Sequence, residues 1–212
     1  MITVDLRGHG ESPLPRNAGL KKSDYQAMVA FDMEAVKDFL FDEHMKGNLN
    51  MNKLGIVACD MSASVALLYT ELDWEKIPYD DSPTASERTP RGQDVQALAL
   101  ISPDPTTPGL LANKAVAGIR ALRRPVMIGV AEMNGHDLTA ANKMFDQLIS
   151  KKDKDKEKED HLYLEKYEGD LRGMDLVTKN AKVRSHIFAF LTKYVKEYQS
   201  EWRDRRSRLD RD

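Results

Sequence analysis

Residues 54–64 read LGIVACDMSAS, a strand-like run followed directly by helix-like sequence. Leu54 to Cys59 is a short apolar run of the kind that forms a buried strand. Helix-like sequence follows at once, from Ser62 to about Glu71. Only Asp60 and Met61 separate the two, so a sharp strand-to-helix turn is expected there. The same alternation spreads outward in both directions. Upstream, Met1 to Leu6 (MITVDL) is a β-branched run that stops at Gly8, Gly10, Pro13 and Pro15, and is expected to be a strand. A helix then opens at Ser23 and Asp24. Tyr25, Met28, Val29, Val36, Phe39 and Leu40 form its apolar stripe, and Gly47 and Asn48 close it.

Downstream, residues 74–94 have loop composition. Val95 to Ser102 is a strand stopped by Pro103, Pro105 and Pro108, and a weaker helix covers 110–122. Pro125 to Ala131 is the next strand. Leu138, Ala141, Phe145, Leu148 and Ile149 mark an amphipathic helix, with Asp137 as its expected N-cap. Residues 151–160 are ten consecutive charges that sum to zero, the pattern of a solvated helix end and loop. His161 to Tyr167 is a further strand. Val183, Ile187, Leu191, Tyr194, Val195, Tyr198 and Trp202 make the stripe of a long last helix, and the mixed-sign segment 199–212 is expected to fray. Apolar strands alternating with helices imply an α/β fold, a mostly parallel sheet flanked by helices. One domain over 1–198 plus the charged tail accounts for the chain.

Composition narrows the function. The 212 residues carry 32 basic against 34 acidic side chains, which speaks against a dedicated binder of nucleic acid or of an anionic membrane. No apolar run approaches the roughly 18 residues of a membrane-crossing helix. A single Cys leaves no internal disulfide and no Cys-based zinc site, and no other metal or cofactor motif stands out. Cys59 is expected to be a small core residue. The expected partner is a small-molecule ligand.

The opening VDLRGHGES (4–12) resembles the strand-4 signature of the α/β-hydrolase superfamily. The order of later features is similar too: LGIVACDMSAS at the nucleophile elbow, ALALISP (97–103), PVMIGVAEMNGHD (125–137), YEGDLRG (167–173) and a C-terminal helix. The resemblance covers roughly residues 1–198. It implies an α/β-hydrolase-like core that lacks the first strands, because in that family another strand lies between the two that begin this chain. It therefore implies that Met1 is an internal methionine of a longer reading frame. The protein would be cytoplasmic as written, or secreted if a signal segment precedes Met1. About twenty residues separate ALALISP from Pro125, too few for a cap domain.

Carried over residue by residue, the resemblance puts Asp60 at the nucleophile position, within Ala58-Cys59-Asp60-Met61-Ser62 in place of G-x-S-x-G. Such a carboxylate attacks an electrophilic carbon and leaves an ester for water to cleave. The Met61 N–H would be one oxyanion-hole donor, and no segment corresponds to the loop that supplies the other. Asn134 stands at the acid position and Arg172 at the base position. Asn cannot act as an anionic orienter, and Arg cannot take a proton from water. Asp137 and His136 are the candidates to replace them, and Arg172 is expected to pair with Asp60. The resemblance thus implies a catalytically impaired hydrolase-like protein acting as a binding or interaction module. The alternative is an active hydrolase of an ester or epoxide that uses Asp60, with His136 and Asp137 in rearranged roles. An unrelated doubly wound binder of a small ligand is a third reading.

Overall fold

A computed structural model describes residues 1–14, 19–149 and 160–211. Four strands form one parallel sheet in the order β1 (Leu54–Cys59), β2 (Val95–Ile101), β3 (Val126–Ala131), β4 (Leu162–Tyr167). The helices are α1 (Lys22–Ala27), α2 (Met33–Met45), α3 (Ser62–Glu75), α4 (Ala112–Ala121), α5 (Gly135–Leu148), α6 (Gly173–Lys179) and α7 (Ala181–Leu191). A π-helical turn, Met28–Asp32, joins α1 to α2.

The period of two along the central strands explains the layering. Leu98 and Leu100 of β2 join Val126, Ile128 and Val130 of β3 in a core against α3, α4 and α5. Ala97, Ala99 and Ile101 face the other way and meet Met127, Tyr167 and the α6–α7 residues Leu176, Val183, Ile187 and Phe190. Both faces are covered, so every residue of β2 and β3 is buried. Gly55 lets the chain after α7 approach the sheet: a Cβ there would lie 2.8 Å from side-chain atoms of Leu191 and Val195.

Four local expectations are corrected. Met1 to Leu6 is not a strand. It has no regular secondary structure and no ladder partner among the described residues, and of its side chains only Leu6 is buried. A strand needs a neighbour for its backbone groups, and β-branched composition does not supply one. The segment is held instead by Arg7, whose guanidinium pairs with Asp32 at 2.5 Å. The long last helix breaks up: α6 precedes it, α7 ends at Leu191, a π-helical turn spans Thr192–Lys196, and the chain then leaves helical geometry. The helix after β3 starts at Gly135, and its N-cap is Asn134, not Asp137. The charged run at 151–159 lies outside the described residues.

The fourth correction concerns the C-terminal segment, which packs down instead of fraying. Trp202 stacks on His44 with ring centroids 4.9 Å apart and donates Nε1–H to the His44 carbonyl at 2.9 Å. His44 is fully buried. Three residues on, Arg205 inserts its guanidinium beneath the sheet, 2.6 Å from Asp94 Oδ1. A charged side chain of this kind is tolerated inside only with such partners, and the distant carboxylate is invisible to any local reading of RDRRSR.

Candidate functional site

The carboxyl ends of the four strands bring the sequence's candidate residues to one edge of the sheet, where open parallel sheets gather their ligands. Asp60 ends β1 in the left-handed region, φ 49°. That conformation is costly for a residue with a side chain and survives only when its surroundings over-determine it. Here they do. Asp60 N–H donates to the Ile101 carbonyl at 3.0 Å, and its carbonyl accepts from Ala63 N–H at 3.2 Å and Asp104 N–H at 3.1 Å. One residue earlier, Cys59 N–H donates to Ser62 Oγ at 3.0 Å while the Ser62 hydroxyl donates to the Cys59 carbonyl at 2.7 Å. Ser62 therefore ties the turn together as well as being small.

Ser102 repeats the device at the end of β2, with φ 47°, full burial and its Oγ accepting from Gly173 N–H at 3.0 Å. Gly173 follows Arg172 at φ 52°, and a Cβ there would sit 1.7 Å from Asp60 Oδ2. Only glycine lets the chain after β4 pass this close to the carboxylate.

Arg172 is the hub. Its Nη2 lies 2.9 Å from Asp60 Oδ1 and its Nε 3.2 Å from Asp137 Oδ2. The side chains of Arg172 and Asp60 are 51% and 41% exposed, whereas that of Asp137 is 3% exposed. Asp137 sits in the first turn of α5, where the helix dipole favours a negative charge. Its N–H donates to Asn134 Oδ1 at 3.1 Å, so the Asn134 side chain is occupied in capping α5. The contact from Arg172 Nε lacks hydrogen-bond alignment, and Asp137 Oδ2 is held by charge alone. His136 Nδ1 approaches Asp137 Oδ1 at 3.4 Å, a long contact from a ring that is 79% exposed.

Burial pushes the Asp60 carboxyl above its ordinary range; the negative charges of Asp137 and Asp104 add to this and Arg172 opposes it. Burial, with the charge of Asp60 beside it, pushes the Cys59 thiol up to about 11, so Cys59 is no nucleophile near neutral pH. The Met61 N–H, at the N-cap of α3, meets no acceptor among the described residues and is free to donate.

Two members of the site were not legible as such. Ser102 carried only the signal of a polar residue ending a buried strand. Asp104, whose Oδ1 accepts from Thr106 N–H at 2.8 Å and Oγ1–H at 2.6 Å, looked like part of a proline-rich loop. Among the described residues no three His, Cys, Asp or Glu side chains come together as a metal-binding set.

Chemically, the arrangement is an accessible carboxylate held by a guanidinium that is itself anchored on a buried carboxylate. Arg172 stays protonated at every relevant pH. It can orient Asp60 and neutralise it, but it cannot activate a water molecule. The nearest imidazole touches Asp137 and makes no contact with Asp60. Set against known proteins, the chain matches no family model, no curated protein and no solved structure.

Proposed function

We propose that this is an α/β-hydrolase-like protein without efficient hydrolase activity, which uses the carboxyl edge of its sheet to bind a small molecule or partner. The bridge from Asp60 through Arg172 to Asp137 carries the reading. It joins the residues that the resemblance puts at the nucleophile and base positions to Asp137, the candidate replacement for the acid, and replaces a proton relay with a fixed set of charges. The strained turn at Asp60 supports the comparison with a nucleophile elbow. Among the described residues between β2 and β3 the only helix is α4, in keeping with a core that has no cap domain. The resemblance would also place a further strand against the outer edge of β1, and no described segment pairs there.

The test is multiple-turnover assay with an activated ester and with an epoxide, alongside mass spectrometry of the protein. Either no reaction, or a covalent adduct on Asp60 that persists without turnover, is the expected result. Steady turnover that disappears in Asp60→Asn would replace this reading with the second one, an active hydrolase using Asp60. That second reading draws on the His136–Asp137 contact, which sets an imidazole against a buried carboxylate beside the site. It further requires His136→Ala to lower the rate by about a hundredfold or more, as loss of a general base does.

A further inference from the structure

β1 lies at one border of the sheet, and its outer edge is open along a window of two residues. Successive residues of a strand turn their N–H and carbonyl groups to opposite edges. Leu54 N–H donates to the Asp94 carbonyl at 3.2 Å and Asp60 N–H to the Ile101 carbonyl at 3.0 Å, so Leu54, Ile56, Ala58 and Asp60 turn their backbone toward β2. Gly55, Val57 and Cys59 turn theirs outward. At Cys59 the Ser62 hydroxyl takes both groups, donating to the carbonyl and accepting from the N–H. Among the described residues nothing takes the two N–H and two carbonyl groups of Gly55 and Val57.

Edges of this kind are usually defended by a charge, a proline or a covering segment. Residues 54–59 carry no charge and no proline. Gly55 is exposed and Val57 is 44% exposed. The one irregularity in the pairing of β1 with β2 falls between Leu54 and Gly55 and precedes the window.

The spacing of the open groups fits one occupant in particular. In an antiparallel pair, two opposed residues exchange both hydrogen bonds, and the next such pair lies two residues on. Two open residues that are two apart are therefore satisfied by the same two residues of a second copy. Gly55 would pair with the partner's Val57, and Val57 with the partner's Gly55. Four hydrogen bonds form, no group of the window is left over, and Ile56 lies on the two-fold axis. The side chains agree with this register. Opposed residues of an antiparallel pair share a face of the sheet, so each exposed Val57 stands beside a glycine, where no side chain competes with it. Leu191 and Val195 close over that glycine and offer Val57 an apolar wall. The patch is complementary to itself, as a two-fold interface requires. We propose that the protein forms a dimer by antiparallel pairing of β1 with the β1 of a second copy, which joins two four-stranded sheets into one. The pairing draws on no side chain of Asp60, Arg172 or Asp137, so it and the proposed function fail independently.

Size-exclusion chromatography with light scattering on the full chain is expected to give about twice the 24.0 kDa of the monomer. Val57→Lys puts a charge on the edge at an exposed position and is expected to return the monomer with an unchanged circular dichroism spectrum. Amide exchange at Gly55 and Val57 should slow as protein concentration rises. Cysteine cross-linking reads the register. Ile56→Cys should form an intermolecular disulfide under mild oxidation, because opposed residues without mutual hydrogen bonds lie about 4.5 Å apart between Cα atoms, within reach of a disulfide. Val57→Cys should not, because its own copy then lies beyond the roughly 7 Å that a disulfide spans. The unsubstituted chain, with Cys59 alone, sets the baseline. A mass that stays at 24.0 kDa at every concentration, or a dimer that Val57→Lys leaves intact, would overturn the proposal. Cross-linking of Val57→Cys as readily as Ile56→Cys would overturn the register. Protection of the Gly55 and Val57 amides that is the same at every concentration would give the edge to a segment of the same chain, and would overturn the proposal as well.

Discussion

The two ends of the sheet carry ionic clusters of similar make-up and opposite character. At the carboxyl end, Asp60, Arg172 and Asp137 form a chain in which only Asp137 is buried. At the amino end, Lys37, Asp73, Asp94 and Arg205 interlock with none of their side chains more than 9% exposed. Asp73 Oδ2 also accepts from the N–H groups of Asp94 and Val95, at 2.7 and 3.2 Å, and so anchors the start of β2. Water screens the first cluster and leaves it open to a ligand. The second is dry, and each of its charges depends on the others. Exposure, more than the number of ion pairs, separates a cluster that can bind something from one that holds the fold together.

That contrast can be broken most decisively at Asp94. Asp94→Ala would leave Arg205 a buried cation without a carboxylate and Lys37 with Asp73 alone, and is expected to cost about 3–5 kcal/mol, read from urea or thermal unfolding. A loss under about 1 kcal/mol would mean that the buried cluster behaves like a surface pair. Gly173→Ala comes next. It adds a Cβ in a left-handed conformation against Asp60 and should cost about 1–2 kcal/mol while displacing the Asp60 and Ser102 backbone resonances. Unshifted resonances would show that the chain after β4 does not set the position of Asp60.

The remaining two predictions concern pH. Burial by itself would lower the Lys37 pKa, but Asp94 and Asp73 outweigh it and the ammonium is raised above the usual lysine range. The folded state therefore keeps a proton that the unfolded chain gives up first. The stabilisation is complete below the ordinary lysine pKa of about 10.4 and is lost as pH rises through the higher folded value. Lys37→Met should flatten that alkaline limb in a series of melting temperatures, and an unchanged limb would assign it to other groups.

Asp60 has the opposite consequence, because its carboxyl is raised by burial. Between the ordinary carboxylate pKa and the folded one, the native state binds more protons than the unfolded chain. Stability contributed by Asp60 thus falls as pH rises through that window. Asp60→Asn should remove this slope and, at an accessible position, change stability at neutral pH by less than about 1 kcal/mol. A larger loss would make the Asp60–Arg172 pair structural, and the two clusters would then differ less than their exposures suggest.

Legibility in the sequence followed the range of the forces involved. β1, β2, β3 and β4 lie within a residue or two of the apolar runs that announced them, since a buried strand is marked by its own side chains. Met1 to Leu6 has the same composition and failed as a strand, because strand formation also needs a partner. Around the site, Asp60 and Arg172 were singled out by position, and their contact at 2.9 Å was an expectation that the structure bears out. Asn134, and not Asp137, caps α5, since which of two nearby capping residues caps a helix depends on where its first turn docks. Nothing in the sequence pointed to Lys37, Asp73, Asp94 or Arg205 as a group.

By itself, then, the sequence determined the alternation of strands and helices and the two-faced burial that makes the sheet parallel. It also determined the sharp turn at Asp60. These rest on side-chain periodicity and on backbone preferences that act over a few residues. Only the tertiary structure decided which charges meet. It alone showed that the basic C-terminal segment carries Arg205 into the interior and that Arg172 joins a carboxylate from the turn after β1 to one from the first turn of α5. Coulomb energies depend on separation in space and on exclusion of water, and neither quantity is written along the chain.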